Sequence, residues 1–218
     1  MKTSKILAIV LGLLTIAACN SGSNKAKESA SEVEEVSVEQ IVEDLENIPT
    51  PSPTELIELM NKSGVPYTYY ITNTLANQQN YLSTKQKALN LGVYSADLCY
   101  DAIYQKTSET EEYLKCILML ASDLNISIDA DKITEQVEQN INNGPALVTS
   151  IKDILKESQY ILNQTSQTDI ALDFLIGSWV ESAYICIPAS ENSHFDSESQ
   201  EIVMNHFEYV GTILKYME

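Results

Sequence analysis

Three carboxylates stand in stretches that are otherwise almost wholly apolar. Asp97 and Asp101 are four residues apart, which places them on one face of a helix, and Glu181 occupies a similar position in a second apolar stretch. A charged carboxylate is costly to bury without a partner, so such groups often mark binding or catalytic sites. The simpler alternative is that hydroxyl groups, helix ends or lysines satisfy them and that they serve packing specificity alone. We favour the simpler alternative and keep a shared ligand or catalytic site as its competitor.

Aromatic residues with polar tips accompany the carboxylates. Tyr94 and Tyr100 lie on either side of Asp97, and Trp179 precedes Glu181 by two residues. A flat apolar face with a polar edge suits a small-ligand site and equally suits a buried hydrogen-bond network. The candidate ligand or buried polar site therefore comprises these residues: Asp97, Asp101, Glu181, Tyr94, Tyr100 and Trp179.

A second aromatic cluster follows the turn residues Gly64, Val65 and Pro66. Its members are Tyr67, Tyr69 and Tyr70. Such a cluster can line a sugar or peptide site, or it can pack a loop onto the helices with its hydroxyls in water. We favour the packing role.

The residue types exclude most metal and cofactor sites. A di-iron carboxylate bundle needs two Glu-x-x-His pairs facing its core, which His194 and His206, the two histidines of the chain, do not supply. Thiolate metal sites need closely spaced cysteine pairs, and none occurs. Glycine-rich phosphate loops are also absent. We therefore predict no metal and no cofactor, and two histidines make a Ser-His-Asp apparatus an unfavoured hypothesis.

The charge balance excludes nucleic acid as a partner. The chain has 13 basic and 31 acidic residues, a net charge of −18, and every basic residue is a lysine. Phosphate backbones are repelled by such a surface, and the planar arginine fork that grips phosphate is missing.

Helix-start signals recur along the chain. A serine followed three residues later by Glu or Gln can cap a helix in both directions. These pairs are Ser37 with Gln40, Ser52 with Glu55, Ser83 with Gln86, Ser108 with Glu111, and Ser197 with Gln200. Apolar residues at helical spacing then predict helices over 38–45, 53–63, 84–106, 109–124, 130–142, 145–163, 170–187 and 198–216. Alternation typical of strands is absent, so we predict an all-α helical bundle.

Two of these helices are apolar on nearly every face. They cover 88–104 and 170–187, and each has a glycine in its middle, Gly92 and Gly177. A helix that is apolar all round is buried all round, and a glycine inside a helix usually marks close backbone approach. We predict that the two form the central pair of the bundle. Aligning the glycines also suggests a duplicated helical hairpin.

Three cysteines lie in the helical region, Cys99, Cys116 and Cys186. Cys99 and Cys116 are about equally far from the predicted turn between their helices, so a disulfide between them is one possibility in an oxidising compartment. Buried free thiols are the alternative, which we favour because the count is odd and the spacing irregular.

The N-terminal segment predicts a lipid anchor. Residues 1–18 have two lysines, a short apolar run and small residues at the end, which is typical of a secretory signal. Cys19 closes a lipobox, so we predict cleavage before it and acylation of its thiol. Residues 19–36 predict a disordered tether and residues 37–218 the α-helical domain. Asn20 and the lack of an acidic residue before Glu28 predict an outer-membrane lipoprotein facing the periplasm.

The run 88–100 forms a distinctive pattern, above all in its Gly-Val-Tyr-Ser-Ala-Asp-Leu core over 92–98, together with Ile48 to Pro53, 113–115, 120–126 and 177–182. Through these stretches the sequence resembles a family of uncharacterised helical lipoproteins from Bacteroidetes. The resemblance implies a helical domain behind a lipid anchor and supplies no catalytic residue.

Three functions remain open at this point. The first is a binding or interaction module that engages another envelope protein or a small ligand between helices. The second is a hydrolase acting through Asp97 and Glu181. The third is a purely structural or stress-related lipoprotein. A solvent-connected pocket faced by both carboxylates would favour the hydrolase.

Overall fold

The computed structural model describes residues 52–165, 167–191 and 195–214. These residues form seven α-helices and one 3₁₀ helix, with no strand among them, which confirms the all-α prediction. In chain order the elements are α1 Pro53–Lys62, the 3₁₀ helix Leu75–Asn80, α2 Thr84–Ile103, α3 Thr107–Asp123, α4 Ala130–Asn140, α5 Gly144–Gln164, α6 Thr168–Glu191 and α7 Ser197–Leu214. The predicted signal, Cys19, the tether and the helix predicted at 38–45 lie outside the described residues.

Local capping explains where several helices begin. Ser52 and Ser83 each form the predicted box: their hydroxyls accept from the backbone N–H of Glu55 and Gln86, whose side chains accept from the capping residue. The carboxylate of Asp129 caps α4 by accepting from the backbone N–H of Lys132. These caps satisfy N–H groups that have no partner inside the helix.

Two predicted caps are wrong. Ser108 lies inside α3, which begins at Thr107 and has no side-chain cap. Ser197 does not cap α7, because the carboxylate of Asp196, one residue earlier, accepts from the N–H of Ser199 at 2.8 Å. Carboxylates and hydroxyls compete for the same capping position, so the serine pattern alone does not decide it.

Helices α2 and α6 pack along each other at the centre of the domain. Their backbones come so close that a Cβ atom added at Gly92 would overlap the carbonyl oxygen of Phe174, and one added at Gly177 would overlap that of Leu89. Further along, the carboxyl groups of Asp97 and Glu181 meet, so both helices run in the same direction. The predicted close approach at the two glycines is confirmed.

Burial of the central pair is less complete than the sequence predicts. The middle of α2 is buried on every face, from Tyr94 to Ala102. On α6, however, Tyr184 is 52 % exposed and Ile187 is 42 % exposed. The helix also continues through Pro188 to Glu191 instead of ending before the proline. Proline removes only the bond to the carbonyl of residue 184, and that residue lies on the exposed side.

Each central helix packs against the helix that follows it along the chain, α3 against α2 and α7 against α6. This is the arrangement that a duplicated hairpin predicts, although the duplication itself stays a prediction. Helices α4 and α5 pack on each other, and α5 also contacts both central helices. The N-terminal α1 lies across the central pair, contacting α2 and α6.

One described helix is long and apolar enough to cross a membrane by length and composition. It is the stretch Thr168–Pro188 of α6. Within this domain 61 % of its most apolar window is buried against other helices. The core helix of a bundle has the same length and composition, which explains the apolar character of α6.

The glycine contact gives a direct test. We expect Gly92→Ala to lower the free energy of unfolding by about 1–3 kcal/mol, because its Cβ meets backbone that cannot move aside. Gly211 in α7 has nothing within 4 Å of an added Cβ, so Gly211→Ala should be neutral or stabilise by up to about 1 kcal/mol through helix propensity. Urea denaturation measures both. Equal stability of the two variants would show that α2 and α6 are not in backbone contact.

Candidate functional site

A segment with little regular structure covers one side of the central pair. We call residues 65–83 the strap; it includes the 3₁₀ helix, and the sequence predicted no element there. Three tyrosines donate their hydroxyls to strap carbonyls: Tyr94 to Thr74 at 3.0 Å, Tyr104 to Val65 at 2.8 Å and Tyr113 to Asn73 at 2.8 Å. The hydroxyl of Tyr100 accepts from the backbone N–H of Thr68 at 2.7 Å. Side chains of α2 and α3 thus supply the backbone partners that a sheet or helix would otherwise provide.

Two aspartates of α2 lie beneath the strap. Asp97 and Asp101 are both 0 % exposed. Asp97 Oδ2 accepts from the backbone N–H of Asn73 at 3.1 Å, and Asp101 Oδ1 accepts from the Tyr67 hydroxyl at 2.9 Å. The second oxygen of each carboxyl accepts no hydrogen bond from an N–H or hydroxyl group among the described residues. Each aspartate therefore fastens the strap with one of its two oxygens.

Asp97 faces the carboxyl group of Glu181 across the helix pair. Burial, and then the negative charge of Glu181, raise the pKa of Asp97 far above its ordinary value. Burial also raises the pKa of Glu181. Two carboxyl groups in contact cannot both ionise cheaply, so a shared proton allows one to donate to the other. The protonated pair is a hydrogen-bonded unit between α2 and α6.

Asp101 has a different surrounding. Burial raises its pKa to about 7, while the hydrogen bond from Tyr67 acts in the opposite direction. The carboxylate of Glu109 raises this pKa further, and the ammonium of Lys106 lowers it. The same ammonium lies 4.5 Å from the ring centroid of Tyr67, so a cation holds the strap tyrosine from its outer side.

The structure brings five of the predicted site residues together and separates the sixth. Both aspartates, Glu181, Tyr94 and Tyr100 lie on the strap side of the central pair. Trp179 does not join them. Tyr94 and Trp179 each follow a contact glycine by two positions. When two parallel helices cross at these glycines, side chains at equivalent positions of the two helices point to opposite sides of the pair. Trp179 therefore lies on the side away from the strap.

Trp179 instead packs against a buried histidine of α7. Its ring stacks on that of His206, with centroids 4.6 Å apart and planes 10° from parallel. His206 Nε2 lies 3.0 Å from the hydroxyl oxygen of Ser182, which donates to the Trp179 carbonyl at 3.0 Å. Both Ser182 and His206 are fully buried, so no substrate reaches this pair. The contact serves packing of α7 on α6.

The tyrosine cluster of the strap divides between packing and exposure. Tyr67 stacks on Tyr100 with ring centroids 5.0 Å apart, which supports the packing role for this residue. Tyr69 and Tyr70 are exposed, and Tyr70 has a φ of +65°, a conformation that aromatic residues rarely adopt.

The cysteines Cys99, Cys116 and Cys186 are all free and buried, so the favoured reading of the sequence is confirmed. Burial raises the pKa of Cys99 to about 11 and that of Cys116 to about 12. These thiols stay protonated at neutral pH and are poor nucleophiles and poor metal ligands. No group of His, Cys, Asp and Glu among the described residues could hold a metal ion.

An open cleft of about 590 Å³ lies between α1, α2, α5 and α6. Its apolar lining includes Ala96, Phe174, Leu175 and Trp179, and Lys152, Lys156 and Gln159 of α5 form one wall. None of the carboxyl groups of Asp97, Asp101 and Glu181 lines it. Trp179 is the one candidate site residue from the sequence that lines the cleft, because the lining residues come from four separate helices and share no motif.

The carboxyl pair should make stability depend on pH. Its raised pKa means that the folded state holds a proton more tightly than the unfolded chain. The tighter proton binding stabilises the folded state fully below about pH 4, the ordinary carboxyl pKa. This stabilisation is lost as pH rises through the pKa of the pair in the folded state. We expect Asp97→Asn to flatten this decline, so that the variant is more stable than the wild type at pH 8.

Urea denaturation between pH 4 and pH 9 measures the effect. Asp153→Asn, at an exposed position of α5, is the control and should follow the wild-type profile. Parallel profiles for all three proteins would mean that Asp97 and Glu181 do not share a proton.

Comparison with known proteins gives no relative from which a function could be transferred. No family model, no curated protein and no solved structure matches the chain. The chemistry of the carboxyl groups beneath the strap and of the cleft therefore follows from their own residues.

Proposed function

We propose that this protein is a lipid-anchored binding module of the bacterial envelope whose helical domain takes a small ligand in the cleft. The observation that carries the proposal is the cleft itself. Its volume of about 590 Å³ falls within the range of small-molecule sites, roughly 300–1,000 Å³. Such sites combine an apolar lining with a few polar groups, which is the composition found here.

The four walls of the cleft come from rigid elements. Ala96 belongs to the central α2, and Phe174 and Trp179 to the central α6, whose positions are set by the glycine contact. The α1 wall begins at Ser52, where the capping box fixes the chain. A site built on packed helices is largely formed before its ligand arrives, so little ordering cost opposes binding.

The hydrogen bonds beneath the strap support a structural role for the carboxyl groups of Asp97 and Asp101. Asp97 and Asp101 are fully buried, and each holds the strap through one hydrogen bond. A hydrolase would need these groups to face a substrate, and they do not line the cleft. The hydrolase acting through Asp97 and Glu181 therefore remains the second proposal; the carboxyl pair with its raised pKa is the one observation that favours it.

The anchor belongs to the proposal as well. Acylated Cys19, the following tether and the outer membrane with its periplasmic face all depend on residues outside the described ranges. A tether of this composition leaves a domain free to meet small ligands near the membrane. If the cleft binds nothing, the third function, a purely structural or stress-related lipoprotein, takes its place.

Blocking the cleft tests the binding function. The mature chain carrying Cys19→Ala is titrated with phenylnaphthylamine, an uncharged aromatic probe, and emission of Trp179 is followed. Trp179 is the single tryptophan of the chain and lines the cleft, so its emission reports occupancy. We expect Gln159→Phe to weaken binding about tenfold, the effect of losing roughly 1.4 kcal/mol.

The matched control is Gln164→Phe, the same substitution in α5 at an exposed residue that does not line the cleft. It should bind the probe as the wild type does. A probe that binds both variants equally, or that leaves the emission of Trp179 unchanged, would refute the cleft as a binding site.

The anchor is tested by Cys19→Ala alone. We expect this variant to leave the membrane fraction, because the acyl chains on Cys19 supply the affinity for the bilayer. Ser21→Ala, two residues along, is the control and should stay with the membranes. Persistence of the Cys19→Ala protein in the membrane pellet after a high-salt wash would contradict lipid anchoring through this residue.

A further inference from the structure

Two lysines line the cleft of this strongly acidic protein. Lys152 and Lys156 project from successive turns of α5 into the cleft wall. Lys152 forms an ion pair with Glu58 at 2.8 Å. No carboxylate lies within 4 Å of the Lys156 ammonium among the described residues, so the ammonium can form a direct ion pair with a ligand.

The acidic residue of the cleft is already engaged. Glu55 accepts from both the backbone N–H and the hydroxyl of Ser52 at 2.8 Å. These hydrogen bonds lower the pKa of Glu55 below its ordinary value. The positive charges of Lys152 and Lys156 lower it further. The start of α1, where the positive pole of the helix dipole lies, forms the same wall of the cleft.

A hydrogen-bond donor without a protein acceptor lies in the same cleft. Trp179 is only 5 % exposed, and its indole N–H donates to no group among the described residues. The hydroxyls of Ser95 and Ser178 donate to carbonyls of their own helices, at 2.7 Å and 2.9 Å, and so provide no acceptor turned toward it. The indole nitrogen is not among the sealed side-chain atoms that lack a partner, so solvent reaches it and an acceptor atom of a ligand can take its hydrogen.

We propose that the ligand of the cleft is a small anionic amphiphile. Its flat apolar body lies against Phe174 and Trp179, its acceptor atom takes the indole N–H, and its acid group pairs with Lys156. This inference rests on the proposed function, since it names the chemical class that the same cleft binds. A ligand of this kind gives a partner to both the Lys156 ammonium and the Trp179 indole N–H.

Two probes that share an aromatic body separate the ligand class from the cleft itself. Anilinonaphthalene sulfonate carries an acid group, and phenylnaphthylamine is its uncharged counterpart. We expect the wild-type mature chain to bind the sulfonate about fivefold more tightly, the effect of one partly exposed ion pair of up to about 1 kcal/mol. Quenching of Trp179 gives both dissociation constants.

Variants of Lys156 test whether its charge causes the preference for the sulfonate. Lys156→Gln should remove the preference for the sulfonate and leave the dissociation constant of phenylnaphthylamine within about twofold of the wild-type value. Lys156→Glu should reverse the preference. Lys115→Gln, an exposed lysine of α3 outside the cleft, is the matched control and should change neither constant. Raising the salt concentration should weaken only the sulfonate complex.

The outcomes distinguish this inference from the proposed function. Equal binding of the two probes, or an unchanged preference in Lys156→Gln, would overturn the anionic ligand while the cleft remains a binding site. Failure of both probes to bind, with no change in Trp179 emission, would overturn the proposed function and this inference together. Loss of preference in Lys115→Gln as well would show that overall charge, and not Lys156, selects the anion.

Discussion

The backbone contact between α2 and α6 is the constraint on which the rest of the domain depends. Gly92 and Gly177 let each helix receive a carbonyl of the other where any side chain would overlap it. Such closeness fixes both the height and the rotation of the two helices, because neither can slide without a collision. Every feature of functional interest lies on one side or the other of this pair.

On one side, α2 and α6 support the strap, a segment that cannot satisfy its own backbone hydrogen bonds. The strap has little regular structure, so its backbone groups need partners from elsewhere, and tyrosines and aspartates of α2 and α3 supply them. Burying Asp97 beside Glu181 is the cost of this arrangement. A shared proton lowers that cost, which links the stability of the domain to pH without requiring a catalytic role.

On the other side, α1 and α5 stand far enough apart to leave the cleft open. Its apolar floor belongs to the central helices and its charged wall to α5. The two sides of the pair are thus chemically distinct: acidic under the strap, apolar with two lysines in the cleft. This division favours binding in the cleft over catalysis under the strap, because Asp97 and Asp101 are fully buried whereas the cleft is open.

The sequence by itself determined the helices, several of their caps and the glycine contact, since these follow from local hydrogen bonding and from apolar spacing around Gly92 and Gly177. It also singled out Asp97, Asp101 and Glu181, because a carboxylate in an apolar helix is conspicuous. Only the tertiary structure decided that Asp97 meets Glu181 while Trp179 turns away from Tyr94. The direction of a side chain depends on how two distant helices cross, and the crossing depends on atoms that are far apart in the chain. The cleft escaped prediction for the same reason, since its walls come from four helices that share no motif.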